Sequence, residues 1–140
     1  MRADRAAWAR LADDLTKRTT EATMTVKRVD EVPLEAVSAG SGTQRQVLIG
    51  PDEAPNFALR RFVMQPGGGM PKHTNTVEHE QYVLRGRARV GVGDVVHEVG
   101  PGDVLYIPPG TPHWYEAGAG EPFEFLCVVP NRPDRIVVVE

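Results

Sequence analysis

The stretch KHTNTVEHEQYVLRG, residues 72–86, gathers the groups in this 140-residue chain best suited to chemistry. It holds His73 and His79, with Asn75 two places after the first and Glu78 and Glu80 flanking the second. Imidazoles and carboxylates at this density can ligate a metal or move protons. Taken singly, a histidine is most often a surface residue or a satisfied core one. His97, in VVHEV, stays in that class, structural or solvent-facing. The other three form a pattern. His73 follows the glycine-rich PGGGMPK, and Asn75 at i+2 shares its face on an extended chain. His79 opens an apolar run that ends at Gly86. His113 closes GDVLYIPPGTPH, where Pro108, Gly110 and Pro112 force turns just before it.

Positioning these side chains falls to short strands. Runs with strand character lie at 45–50, 57–64, 80–86, 88–99, 103–108, 113–117, 123–130 and 135–139. Between them sit GPDEAPN, QPGGGMP, GPG, PPGTP and AGAGEP, all read as turns. GVGDVV carries a Gly-Asp pair in mid-run and predicts a tight hairpin. Upstream, Trp8, Leu11 and Leu15 with Ala7 and Ala12 predict a helix over 3–18. TMTVKRV, 23–29, reads as a strand and 33–44 as a loop. The expectation is an all-β fold, a mostly antiparallel barrel or jelly roll with one N-terminal α-helix. An arm over 1–43 would precede a barrel over 44–140.

Bulk properties narrow the function classes. The length suits one domain that buries its own core without staples. A net charge of −3 gives no footprint for nucleic acid or a membrane surface. Cys127 is the only cysteine, so no internal disulfide forms, which fits a reducing compartment. No apolar run approaches the roughly 18 residues of a membrane span. MRADRAAWARLADDL has no apolar core of a secretory signal. A cytoplasmic protein with a small-molecule partner is expected.

The two histidine blocks resemble the paired signatures of the cupin superfamily. The second signature is matched without a gap by Gly102, Pro108, Gly110 and His113. In the first, the spacing of six residues before Gly86 puts His79 in the slot where most cupins carry glutamate. Asn75 stands where the second histidine of an i, i+2 pair is usual. The resemblance covers residues 44–130. RQVLIGPDEAPNF and EHEQYVLRG look more narrowly like a small single-domain subgroup known from thermophiles, in which four histidines bind the metal. The resemblance implies a double-stranded β-helix and a divalent metal on His73, His79 and His113. Asn75 would add a weak carbonyl-oxygen ligand, or hold a water or a substrate oxygen. Three imidazoles suffice for a site with open positions. Imidazole suits Zn, Fe, Cu and Ni, and the resemblance favours Mn(II) or Fe(II). Without a carboxylate ligand the ion keeps its full charge and favours anionic or enolate ligands.

Alternation then fills the pocket. Gln81 shares the face of His79, and Tyr115 that of His113. Phe123, Phe125, Cys127 and Val129 should point inward, opposite Glu124. Arg60 and Arg61 must diverge, and if Phe62 and Met64 point in, so does Arg60. It would meet either an acidic partner or a substrate carboxylate. Cys127 is a small buried hydrophobe or a thiol near the metal. Glu78 and Glu80 should face away, as solvated charges or as acceptors for a ligand histidine's ring N–H. The leading expectation is a dioxygenase-type oxidoreductase. Phe62, Met70, Tyr115 and Phe125 would exclude water, and Arg60 or Gln81 would orient substrate. Rival expectations are a non-redox isomerase, cyclase or lyase, and a non-enzymatic binding module. A homodimer is expected, because an open sheet edge needs cover. Residues 135–139 and 23–29 are its expected participants.

Overall fold

The computed structural model describes residue 6 and residues 25–140. Ala6 is helical; the rest of the helix expected over 3–18 lies outside the described residues. Among the described residues, ten strands follow a 3-10 turn at Val29–Glu31. They are β1 (Glu35–Ala36), β2 (Ser41–Ile49), β3 (Phe57–Thr74), β4 (His79–Arg85), β5 (Ala88–Val92), β6 (Val95–Val99), β7 (Val104–Ile107), β8 (His113–Ala117), β9 (Phe123–Pro130) and β10 (Val137–Val138). Their main order is β6-β5-β8-β3-β9-β4-β7, with β2 and β10 also on β3 and β1 on β2. Every pairing is antiparallel. This is the all-β jelly roll expected, a sheet curled around one core.

Period-2 alternation builds that core. Along β9, Phe123, Phe125, Cys127 and Val129 are buried, while the residues between them are half-exposed. Along β4, His79, Gln81 and Val83 point in and Glu80, Tyr82 and Leu84 point out. The largest fully buried side chains include Phe123, Phe125, Met64 and Ile107. Burying each contributes about 1.5–3 kcal/mol. The hairpin at GVGDVV forms with Val92 opposite Val95 and Gly93 at φ 58°. A positive φ at the first central residue is what this turn requires, and glycine adopts it without strain.

Three local expectations are corrected. The strand read over 23–29 is absent from its described part: residues 25–28 carry no regular structure and Val29–Glu31 is a 3-10 turn. Gln46 on β2 holds that turn by donating its amide to the carbonyls of Val29 and Val32. The loop read over 33–44 contains β1 and the start of β2. QPGGGMP does not reverse the chain, and β3 runs through it as one 18-residue strand. The glycines let β3 change partners there. Met64 pairs with Phe123 of β9, whereas Gly69 pairs with Glu116 of β8. A Cβ on Gly69 would stand 2.0 Å from the Tyr115 carbonyl oxygen, so only glycine permits the crossing.

Of the residues 135–139 expected at a dimer edge, Val137 and Val138 pair within the chain, opposite Thr74 and His73. Among the described residues no helix is long and apolar enough to cross a membrane.

Candidate metal centre

The three histidines of the pattern sit at strand ends. His73 is the penultimate residue of β3, and His79 and His113 are the first residues of β4 and β8. His73 and His113 are direct cross-strand partners, with ring centres 4.2 Å apart. His79 and His113 rings are 5.5 Å apart. Asn75 lies one residue past β3 and is 6% exposed. His97 stands apart on β6, exposed. Glu80 faces outward, where partial burial and hydrogen-bonded Glu78 raise its pKa.

Each ring is oriented from behind. His73 Nδ1 lies 2.7 Å from the Pro71 carbonyl and His113 Nδ1 lies 2.9 Å from the Thr111 carbonyl. A carbonyl only accepts, so both Nδ1 atoms carry the proton and both Nε2 atoms keep a lone pair. His79 Nδ1 lies 3.4 Å from both Arg60 Nη2 and Cys127 Sγ, and its Nε2 has no partner. Burial, chiefly, lowers the pKa of His79 to about 3, helped by Arg60 and His113, opposed by Asp134, with a last contribution from His73. Burial lowers that of His113 to about 4, with the Thr111 carbonyl opposing. Both imidazoles are neutral at neutral pH, as ligation requires.

Asn75 completes the group. Its Nδ2 donates to Asp134 Oδ2 over 2.7 Å, which turns Oδ1 away from that carboxylate. Oδ1 is buried without a partner, like His79 Nε2. Buried polar atoms without a partner are costly unless something binds them, and His79 Nε2 offers a lone pair in the tautomer whose Nδ1–H donates to Cys127 Sγ. Two imidazoles sharing one ion at nitrogen–metal distances of about 2.0–2.1 Å place their ring centres roughly 4.5–5.2 Å apart. The two separations, 4.2 and 5.5 Å, lie just below and just above that span. The rings are not drawn onto one point: among the described residues, no three His, Cys, Asp or Glu side chains are placed to grip an ion. Three neutral imidazoles and an amide oxygen are, by type, a donor set for a divalent cation.

Every site residue singled out from the sequence lines one cavity with these four, enclosing about 460 Å³ of empty space with its open mouth included. Arg60, Cys127 and Gln81 form a row across β3, β9 and β4. Gln81 and Tyr115 exchange two hydrogen bonds, Nε2 to Oη at 2.7 Å and Oη to Oε1 at 2.9 Å. Burial holds the Tyr115 phenol protonated by raising its pKa. Phe62, Phe125 and Tyr115 stack as a flat wall, with centres 5.1 and 5.2 Å apart and planes 8° and 13° from parallel. Met70 closes one side. Arg61 points out, to Glu124 and Gln46, so the two arginines diverge as alternation predicts.

Sequence reading missed Arg45, Val37 and Ile136 in the lining, and Asp134 behind Asn75, whereas Met64 lines the cavity as its inward reading requires. Arg45 shares its strand face with Thr43, a signal of the same period-2 kind. Nothing local pointed to Asp134.

The polyketide cyclase RemF from Streptomyces resistomycificus is similar in structure, at 35% identity and a TM-score of 0.76, over 84% of this chain and 88% of that one. In sequence, 1-methylthio-D-xylulose 5-phosphate methylsulfurylase of Rhodospirillum rubrum is 35% identical over 77 residues, which are 55% of this chain and 49% of the relative. Acireductone dioxygenase 1 of Pectobacterium atrosepticum is 28% identical over 85 residues, 58% of this chain and 46% of the relative. The chain thus spans about half the length of the curated relatives it matches. The cupin domain model matches residues 60–129, which run from Arg60 on β3 through His73, His79 and His113 to Val129 on β9, and the chain belongs to the cupin family.

Proposed function

We propose that this chain is a divalent-metal cupin enzyme that activates the carbonyl of a small organic substrate by non-redox, cyclase- or isomerase-type chemistry. The observation that carries this reading is the pair of orphaned buried atoms, Asn75 Oδ1 and His79 Nε2, beside two histidines whose Nε2 lone pairs are free. His73, His79, His113 and Asn75 would hold the ion. A divalent ion held by neutral ligands alone supplies strong Lewis acidity toward a carbonyl or enolate oxygen.

The chain's own residues supply the rest. The Phe62–Phe125–Tyr115 wall offers a flat, apolar face to a conjugated substrate and excludes water. Tyr115 Oη holds a proton within the cavity, and Gln81 fixes its direction. That phenol can donate to a substrate oxygen in place of the Gln81 carbonyl.

Dioxygenase chemistry, the leading expectation from sequence, ranks second. Similarity to acireductone dioxygenase 1 favours it. Against it stands Cys127, a buried thiol 3.4 Å from His79 Nδ1, where activated oxygen would find an oxidisable sulfur. Similarity to the polyketide cyclase extends over most of both chains.

Metal analysis of protein purified without chelator, followed by assays with and without dioxygen on β-diketone and poly-β-ketone panels, tests the proposal. About one divalent ion per chain and oxygen-independent turnover are expected, with zinc, nickel or copper as natural occupants beside Mn(II) or Fe(II). Stoichiometric oxygen consumption would move the assignment to the dioxygenase reading. Substrate binding without turnover would make the chain a binding module. A homodimer is part of the proposal, built on the outward face where Tyr82, Val104 and Tyr106 are exposed together; a monomeric mass in solution would refute it. So is a cytoplasmic location, in keeping with one free, buried thiol.

A further inference from the structure

The structure assigns to Arg45 and Arg60 an oxyanion-binding subsite in the same cavity, so that the substrate carries a carboxylate or a phosphate group. This inference rests on the reading of the cavity as a substrate site and names the class of substrate it takes.

Both arginines line the cavity that holds the imidazoles. Arg45 is the cross-strand partner of Phe62, and Arg60 precedes Phe62 by two residues on the same strand. All three therefore lie on the inward face, with the Arg60 guanidinium carbon 5.2 Å from the centre of the Phe62 ring. Each arginine has a buried Nε without a hydrogen-bond partner. Among the described residues neither guanidinium has a carboxylate partner. Among the described residues the polar and ring contacts of the Arg60 guanidinium are the His79 ring nitrogen, Cys127 Sγ and the Phe62 face.

The neighbouring arginine shows that this is not a shortage of acids. Arg61 bonds to Glu124 at 2.8 Å and to Gln46 at 2.8 Å. The outward cation is neutralised, and among the described residues the two inward ones have no ion-pair partner in a cavity also lined by apolar Phe62, Met64 and Phe125. Half-buried guanidiniums in such a place need an anion. A planar fork of N–H donors matches two oxygens of a carboxylate or phosphate, and two forks can share one such group. The anionic end of the substrate would lie against β2 and β3 and leave the carbonyl end to the histidine cluster.

Calorimetric titration with inorganic phosphate and, separately, with malonate tests the subsite on the protein as purified. Wild type should bind at least one probe saturably. Arg45→Gln should weaken that binding at least tenfold, and Arg45→Lys, which keeps the charge but loses the fork, should weaken it less. Tighter phosphate binding points to a phosphate ester, and tighter malonate binding to a carboxylic acid. Unchanged affinity in Arg45→Gln, or no saturable binding of either probe, would overturn the subsite. Metal content measured on the same samples keeps the two claims apart. Arg45→Gln should retain the wild-type metal content, and a chain that binds the probes through Arg45 without holding metal would refute the catalytic proposal while leaving the subsite standing.

Discussion

Asn75 and Asp134 are joined by a 2.7 Å hydrogen bond between segments 59 residues apart, and this bond decides which end of the Asn75 amide faces the cavity. With Nδ2 committed to the carboxylate, Oδ1 is presented inward as an oxygen donor. Asp134 also accepts from the Thr76 backbone N–H, so its own position is fixed. Replacing Asp134 by asparagine frees the Asn75 amide to flip. The expected result is a loss of metal affinity of about 10–100-fold, measured by competition with a chromophoric chelator.

His79 occupies the position where most cupins carry an acid, and its neighbour Glu80 points out of the barrel. His79→Ala should therefore abolish metal retention, while Glu80→Ala should leave it at the wild-type level. Elemental analysis of the two purified variants reads the difference, and the opposite pattern would mean that the ligand lies one residue further along β4.

Burial keeps His79 and His113 neutral, with pKa values near 3 and 4 against an ordinary 6.5. Below about pH 6.5 the unfolded chain binds protons that the folded chain refuses. The stability due to these groups is thus complete above that pH and declines as the pH falls toward 4 and then 3. The slope is up to about 1.4 kcal/mol per pH unit for each group. Urea unfolding of metal-free protein between pH 7 and 4 should show this decline, and His79→Gln should flatten it.

The crossing of β3 from β9 to β8 leaves no room beside Gly69, where a Cβ would meet the Tyr115 carbonyl oxygen at 2.0 Å. Gly69→Ala should destabilise the fold by at least about 3 kcal/mol, because backbone rather than a movable side chain must give way. Gly120, whose Cβ would meet nothing within 4 Å, is the control, and Gly120→Ala should unfold at nearly the wild-type urea concentration.

Much of the barrel follows from local pattern. In a strand the side chains alternate between faces, so one polar marker such as Glu124 assigns Phe123, Phe125 and Cys127 to the interior. Proline and glycine constrain the backbone within a few residues, so the turn before His113 can be read as it stands. The glycines of QPGGGMP show where such reading stops. The same residues serve a reversal or a crossing, and only the positions of Ser41 and Tyr115 choose the crossing.

By itself, then, the sequence determined the fold class and the inward faces of the strands, because each depends on periodicity within a short stretch, and resemblance to the paired cupin signatures joined His73 and His79 to the distant His113. Tertiary structure alone decided that Asp134 turns Asn75, that Arg45 stands opposite Phe62 in the cavity of Arg60, and that Cys127 lies behind His79. Those contacts depend on register between distant strands. Register is set by the packing free energy of the whole sheet, which no single segment encodes.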